Sequence, residues 1–326
     1  MRILNKIRAI KFMALFLSHI KHLIKPHMFT KTKNKNSSAK EFYKFSLLIF
    51  FLITGLQSFT QICSKPFHIV ILGSSTAYGN GATPISKAWA YLYTDSLKRI
   101  DTNYIVDNLA IPGTTTYAAQ PDNYIPPPGR PAPIQGNNIS AAIRLHADAI
   151  IVNYPSNDAV NNYTLAEQQA NFKRISNTAK KHGILIWITT PQPRNQLTAA
   201  QVSSQKKLYN WIMQYYKEKA IDFHTGLASD KDSILFKYNS GDGIHVNDAG
   251  HHILYNRVTR ENIPDSLCKL NQVFQFAIKK TIDINADMHS SSAKNSQNPE
   301  ENFSNIYDSF SKQLTQSEAS KASDLY

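Results

Sequence analysis

Acidic residues are scarce in this 326-residue chain: 23 Asp and Glu stand against 36 Lys and Arg, a formal charge of +13. A surplus of that size resembles a nucleic-acid-binding face, but its distribution argues against one. Residues 1–44 hold eleven Lys or Arg and a single acid, Glu41, a local balance of +10 that leaves +3 for everything after Lys44. A nearly balanced body behind a basic front end points to a targeting segment, and no nucleic-acid partner is expected. Long apolar runs are wanting as well. The unbroken stretch from Leu47 to Ile53 falls well short of the roughly 20 residues that a helix needs to cross a bilayer. Cysteine is limited to Cys63 and Cys268, which flank the globular region. A staple between its two ends in an oxidising compartment and a pair of buried free thiols both fit that placement. Cys63 is a poor lipid-attachment site, because Thr60-Gln61-Ile62 lacks the small residue expected just before it. No internal repeat or heptad pattern stands out.

The front end has the layout of an export signal: basic residues to Lys44, the apolar run, then Ser58 and Thr60 in the small-residue positions of a cleavage site. The mature chain is then expected to begin near Gln61 and to reach the periplasm, the cell surface or the medium. An uncleaved anchor is the alternative, and would be the chain's contact with a membrane. A second, weaker apolar patch from Ile10 to Ile24 is broken by Lys21, and Met28 is an alternative start. Three regions follow: an N-terminal extension over residues 1–60, a globular domain over 61–263, and a polar tail over 264–326 expected to be largely disordered. Within that tail Leu267 to Lys280 has the makings of a helix.

With 42% hydrophobic residues the body can bury a real core. Between Ser64 and Ile263 apolar, strand-like runs alternate with helix-period segments, the pattern of a parallel sheet covered on both faces. Strands are expected at Phe67–Leu72, Tyr104–Leu109, Ala149–Tyr154, Ile184–Thr189 and Ala220–Phe223, and helices at Ser86–Arg99, Ile139–Leu145, Leu165–His182, Ala199–Glu218 and Asn247–Thr259. Asn247 is placed to cap the last helix. The fold expected is α/β, a three-layer α/β/α sandwich on a flavodoxin-like parallel sheet of about five strands. One segment breaks the rhythm: Gln120 to Gly136 carries six prolines and should be an extended loop.

The stretch "FHIVILGSSTAYGNG", Phe67 to Gly81, runs from a buried strand into glycines, serines and a threonine. A phosphate cradle is excluded because Gly79-Asn80-Gly81 is followed by Ala82 and Thr83, not by Lys and Ser/Thr. A dinucleotide fingerprint is excluded because Pro84 stands where the third glycine belongs. What remains is an ordinary strand-to-helix turn or a nucleophilic serine, and a serine needs a base and a group to orient that base. In an open parallel sheet such partners lie beyond the carboxyl ends of the other strands. There the chain offers Gly113 in "NLAIPGTTTY", Asn157 and Asp158 in "NYPSND", and Asp242 with His245 in "SGDGIHVNDAGHHI".

On these residues the chain resembles the SGNH or GDSL-type serine hydrolases, named for Ser, Gly, Asn and His in four separated blocks. Gly73-Ser74-Ser75 with Gly79 is similar to the first block, Gly113 to the second-block glycine, Pro155-Ser156-Asn157-Asp158 to the third, and Asp242-Gly243-Ile244-His245 to the last. The likeness spans Phe67 to Ile263, with all four blocks in order. Ser74 replaces the motif's aspartate, and Pro155 replaces a glycine and removes a backbone N–H. The resemblance implies a catalytic Ser75, His245 and Asp242, and an oxyanion hole from the Ser75 and Gly113 amides with the Asn157 side chain. It also implies acyl-serine chemistry without metal or organic cofactor, on a small-molecule or polysaccharide ester, with short acyl groups on carbohydrates favoured. Lipase, lysophospholipase or thioesterase activity, acyl transfer to a sugar, and a non-catalytic carbohydrate-binding module at the cell surface are the alternatives.

Three further groups have two readings each. Asp158 braces its turn or touches substrate, the first being expected. The adjacent His251 and His252 invite a metal, but neighbours on a helix face apart and a structural role is expected. Tyr117, Tyr124 and Arg130, on and beside the proline-rich loop, form one wall of a sugar cleft or only cover the sheet edge.

Overall fold

The computed structural model of the chain describes residues 66–271. The export signal, its cleavage site at Ser58 to Thr60, the alternative start, Cys63 and the tail beyond residue 271 lie outside them. Five strands form one parallel sheet in the order β2-β1-β3-β4-β5: β1 His68–Gly73, β2 Ile105–Asn108, β3 Ala149–Asn153, β4 Leu185–Thr189 and β5 Ala220–Ile221. That order is the flavodoxin-like one, with β1 paired to both β2 and β3.

The central strands are apolar on consecutive residues because both of their faces are covered. On one face Ile69, Ile71, Ile151, Leu185, Trp187 and Ile221 meet helices α2 Trp89–Lys98 and α7 Asp248–Arg260 through Trp89, Tyr93, Leu254 and Val258. On the other, Val70, Leu72, Ile150, Val152 and Ile188 meet α3 Ile139–Arg144, α5 Leu165–Lys181 and α6 Ala199–Tyr216 through Ile139, Phe172, Ile175, Leu208 and Ile212. The alternation of odd and even residues between two cores is the period of two of an extended strand.

Helix starts are written locally. Thr164 with Glu167, and Thr198 with Gln201, form capping boxes, and the side chains of Asn138 and Asn247 accept the amides of Ala141 and Gly250.

Three expectations are adjusted. The helix expected from Ser86 begins at Trp89, after a 3-10 turn at Ile85–Lys87, because Ala88 is extended and the Trp89 amide donates to His251 Nδ1. Strand β5 stops at Ile221 because Asp222 turns the chain by accepting the amides of His224 and Thr225, while Thr190 Oγ1 takes the Phe223 amide. Residues 263–271 are helical rather than tail, with Leu267 and Leu270 buried in the first core. Cys268 within them is disulfide-bonded, and Cys63 is the sequence's other cysteine.

Two short helices, α1 Ser75–Tyr78 and α4 Asn157–Val160, were not expected, and both begin on candidate site residues. Gln120 to Gly136 holds no helix or strand. Several large side chains on and beside it are engaged, although Ile125 stays exposed: Arg130 pairs with Glu167 at 2.6 Å and stacks over the Tyr163 ring, Tyr117 is buried with its hydroxyl on Glu167, and Arg174 covers Tyr124. The Arg130 guanidinium above all holds the Glu167 carboxyl down to about 2. These groups are used in packing against α5 and Tyr163, which favours a structural cover over a sugar-binding wall, although the cover lies on that helix and not on an edge strand.

Candidate active site

Strand β1 ends against β3 closely enough that residue 73 has no room for a side chain. A Cβ on Gly73 would stand 2.7 Å from the Asn153 carbonyl oxygen and 2.6 Å from the Ala77 Cβ. The next amide, of Ser74, donates to that same Asn153 carbonyl at 3.0 Å. Ser74 is extended and caps α1, so Ser75 is the first helical residue and its own N–H is one of the orphan donors of a helix start.

The segment with Asp242 and His245 is a loop wound around two side-chain oxygens, one of an amide and one of a carboxylate. Asn239 Oδ1 accepts the amides of Gly241 and Gly243, and Asp242 Oδ1 accepts those of Ile244 and His245 at 2.7 and 2.8 Å and the Ser240 hydroxyl at 3.0 Å. Asp242 Oδ2 lies 2.5 Å from His245 Nδ1, and His245 Nε2 lies 2.8 Å from Ser75 Oγ. Burial alone would raise the Asp242 carboxyl, but the amide and ring of His245, the Ile244 amide and the Ser240 hydroxyl together hold it well below the usual range. An ionised carboxylate on Nδ1 keeps the ring proton there and leaves Nε2 facing the serine oxygen as an acceptor.

The remaining candidate groups come from the ends of β2 and β3. The Ile111 amide donates to Gly73 O at 3.0 Å, which hangs the Gly113 turn from the end of β1. Gly113 is exposed, with open space where a Cβ would be. Asn157 starts α4 and donates through Nδ2 to the Thr114 carbonyl at 2.8 Å, tying its amide to that turn. Among the described residues neither the Ser75 N–H nor the Gly113 N–H has a hydrogen-bond acceptor. Two backbone donors and one side-chain donor thus lie on segments tied to one another around the end of β1.

Asp158 does not join them. It is buried, and takes the Thr116 amide at 2.9 Å and the Thr116 hydroxyl at 2.5 Å. Burial pushes its carboxyl up to about 6, against those two hydrogen bonds. It braces the turn, as expected. His251 is buried and spends both ring nitrogens on backbone, accepting from the Trp89 amide and donating to the Asn80 carbonyl, while burial pushes its ring down to about 4. His252 beside it is exposed. Among the described residues no cluster of His, Cys, Asp and Glu suits a metal ion.

Four residues around the site lie outside the four blocks of the motif. Gly81, at φ +94°, lies so close to the histidine loop that a Cβ there would be 2.9 Å from the His245 Cβ. After β4, Gln192 Nε2 donates to the Ile244 carbonyl at 3.0 Å and the Asn195 amide to the Gly243 carbonyl at 2.8 Å. Arg194 between them reaches Ser156 Oγ and Asn157 Oδ1, each at 3.4 Å. Only the Gly-x-Gly of Gly79 and Gly81 hinted at a close approach of backbone.

A profile of the GDSL-like lipase/acylhydrolase family matches residues 71–253, more than half of the chain. No curated protein matches it. Among solved structures, a protein of the G-D-S-L family from Desulfitobacterium hafniense is 18% identical, with a TM-score of 0.46, covering 60% of this chain and 99% of its own. The psychrotrophic esterase EstA from Pseudoalteromonas is 13% identical, with a TM-score of 0.45 and 60% and 97% covered. An acetyl-xylooligosaccharide esterase from Geobacillus is 15% identical, with a TM-score of 0.45 and 60% and 93% covered. By the profile that covers more than half of it and includes all four blocks, the chain belongs to the GDSL-like lipase/acylhydrolase family.

Proposed function

We propose that the protein is an exported serine esterase that removes short acyl groups, acetyl above all, from carbohydrates. One observation carries the chemistry: Ser75 Oγ, the His245 ring and the Asp242 carboxylate form an unbroken hydrogen-bonded chain of 2.8 and 2.5 Å.

In this reading Ser75 Oγ attacks the ester carbonyl while His245 Nε2 takes its proton. Asp242 stabilises the imidazolium that forms and fixes its orientation. The tetrahedral oxyanion is received by the Ser75 and Gly113 amides and by Asn157 Nδ2, which has a second N–H beyond the one given to Thr114. Collapse passes the proton from His245 to the leaving alcohol and leaves an acyl-serine, which water opens by the same steps in reverse order.

A short acyl group is favoured because Arg130, Tyr117 and Tyr124, on and beside the proline-rich loop, are engaged with Glu167, the Tyr163 ring and Arg174, and Ile125 is the loop's one exposed large apolar side chain, too little for an apolar lid. Export is supported by the basic and apolar order of residues 1–60 and by the disulfide at Cys268, which suits an oxidising compartment.

The test is a panel of nitrophenyl esters of rising chain length together with acetylated polysaccharides, given to the full chain and to Ser75→Ala. Short-chain and acetyl-sugar cleavage that the substitution abolishes is the expected result. A preference for long chains would replace the carbohydrate reading with a lipase one.

A further inference from the structure

Arg194 is a half-buried cation without a counterion. Its hydrogen bonds go to two neutral oxygens, Ser156 Oγ and Asn157 Oδ1, both at 3.4 Å. Among the described residues no carboxylate lies within ion-pair distance of it. Arg130 and Arg257, also partly buried, are each paired, with Glu167 at 2.6 Å and with Asp222 at 3.7 Å. Burial lowers the Arg194 pKa, and the charge that acts against this is Asp242, whose carboxylate is already committed to His245. A guanidinium partly stripped of water and given no anion is unfavourable unless something else completes it.

Its position is fixed from both sides. Pro191 and Pro193 limit the backbone, and Gln192 and Asn195 are hydrogen-bonded to the loop that carries His245. The guanidinium therefore reaches from the histidine side of the site to the Asn157 amide. That is the group assigned above to the developing oxyanion, so a substrate atom held by Arg194 lies next to the scissile carbonyl. A guanidinium is a planar fork of donors suited to a carboxylate, and it stays charged at any working pH.

We infer that Arg194 is a specificity-determining residue that binds an anionic group of the substrate, so that the preferred esters are those of acidic molecules, an acylated sugar acid being the carbohydrate member of that class. The inference rests on the esterase reading.

Two matched pairs of esters test it on the full chain. Para-acetoxybenzoate against para-acetoxybenzamide places the charge on the alcohol side, and mono-nitrophenyl adipate against nitrophenyl hexanoate places it on the acyl side. In Arg194→Gln the ratio of kcat/KM for the charged over the neutral member should fall about 10- to 100-fold in at least one pair, with partial recovery in Arg194→Lys. A ratio that is unchanged in both pairs, or equal losses on charged and neutral members, overturns the inference. Calorimetric titration with the acid products, para-hydroxybenzoate and adipate, separates this from the esterase reading because it needs no turnover. Tighter binding of one of them by wild type than by Arg194→Gln, by about tenfold or more, upholds the anion site even if no ester is cleaved. Equal binding sinks it even if Ser75 proves to be the nucleophile.

Discussion

Gly81 lies against His245 with no room for a side chain between them: a Cβ on Gly81 would stand 2.9 Å from the His245 Cβ and 2.3 Å from the Val246 carbonyl oxygen. The first distance is below any ordinary carbon contact and the second is a collision with main chain, which cannot swing aside. Gly81 is also left-handed, at φ +94°, which adds strain for any side chain. The turn after the serine helix therefore sets where the histidine stands.

Gly81→Ala should push the His245 loop away from Ser75. Misplacement of a reacting group by about 1 Å costs on the order of 100-fold in rate, so kcat should fall by about that factor while binding of a substrate analogue changes little. Steady-state kinetics beside a melting curve will show it. A variant with wild-type kcat would mean that the loop tolerates the shift and that Gly81 does not position the histidine.

Asn157→Ala removes a side-chain donor at the proposed oxyanion site and the tie to the Thr114 carbonyl. Loss of one oxyanion donor typically costs about 2.7 to 4 kcal/mol of transition-state stabilisation, on the order of 100- to 1,000-fold in kcat. The fall should appear in kcat far more than in KM. A rise in KM alone would make Asn157 a ground-state contact or a brace.

Asp158 gives a pH dependence of stability. Its folded pKa of about 6 lies above the ordinary 3.8 because the carboxyl is buried. The native state therefore keeps this proton longer than the unfolded chain does, so the group favours folding most at low pH and that advantage is lost as pH rises from about 4 to about 6. Asp158→Asn removes the titration while leaving the Thr116 amide an acceptor. Urea unfolding of both chains between about pH 4 and 7 should show the variant gaining on the wild type as pH rises, by an amount on the order of 2 kcal/mol. Parallel curves would contradict this.

Much of the fold was legible because the sheet is buried on both faces: runs such as Ile69 to Leu72 and Ala149 to Val152 are short, rich in β-branched residues and apolar on consecutive positions, the pattern of a strand covered on both sides. Helix starts were legible where the cap is local, as at Asn247. The one-turn helices at Ser75 and Asn157 were not, since four residues carry no period and their ends are set by tertiary hydrogen bonds such as Ser74 to Asn153. Ser75, Gly113, Asn157, Asp242 and His245 stood out because each follows a strand in a short motif. Gly81, Gln192, Arg194 and Asn195 did not, because their roles exist only once the turn after α1 and the loop after β4 have been brought beside the histidine loop. Spacing along a chain records nothing of that approach.

The hydrogen-bonded chain from Asp242 through His245 to Ser75 makes one claim above the others, that the Ser75 oxygen becomes the covalent nucleophile. Labelling of the full chain with a fluorophosphonate, followed by peptide mass analysis, tests it directly. The expected result is a single adduct on the peptide carrying Ser75, with parallel loss of ester hydrolysis, and no adduct in Ser75→Ala. An adduct on another residue, or wild-type hydrolysis in Ser75→Ala, would contradict it.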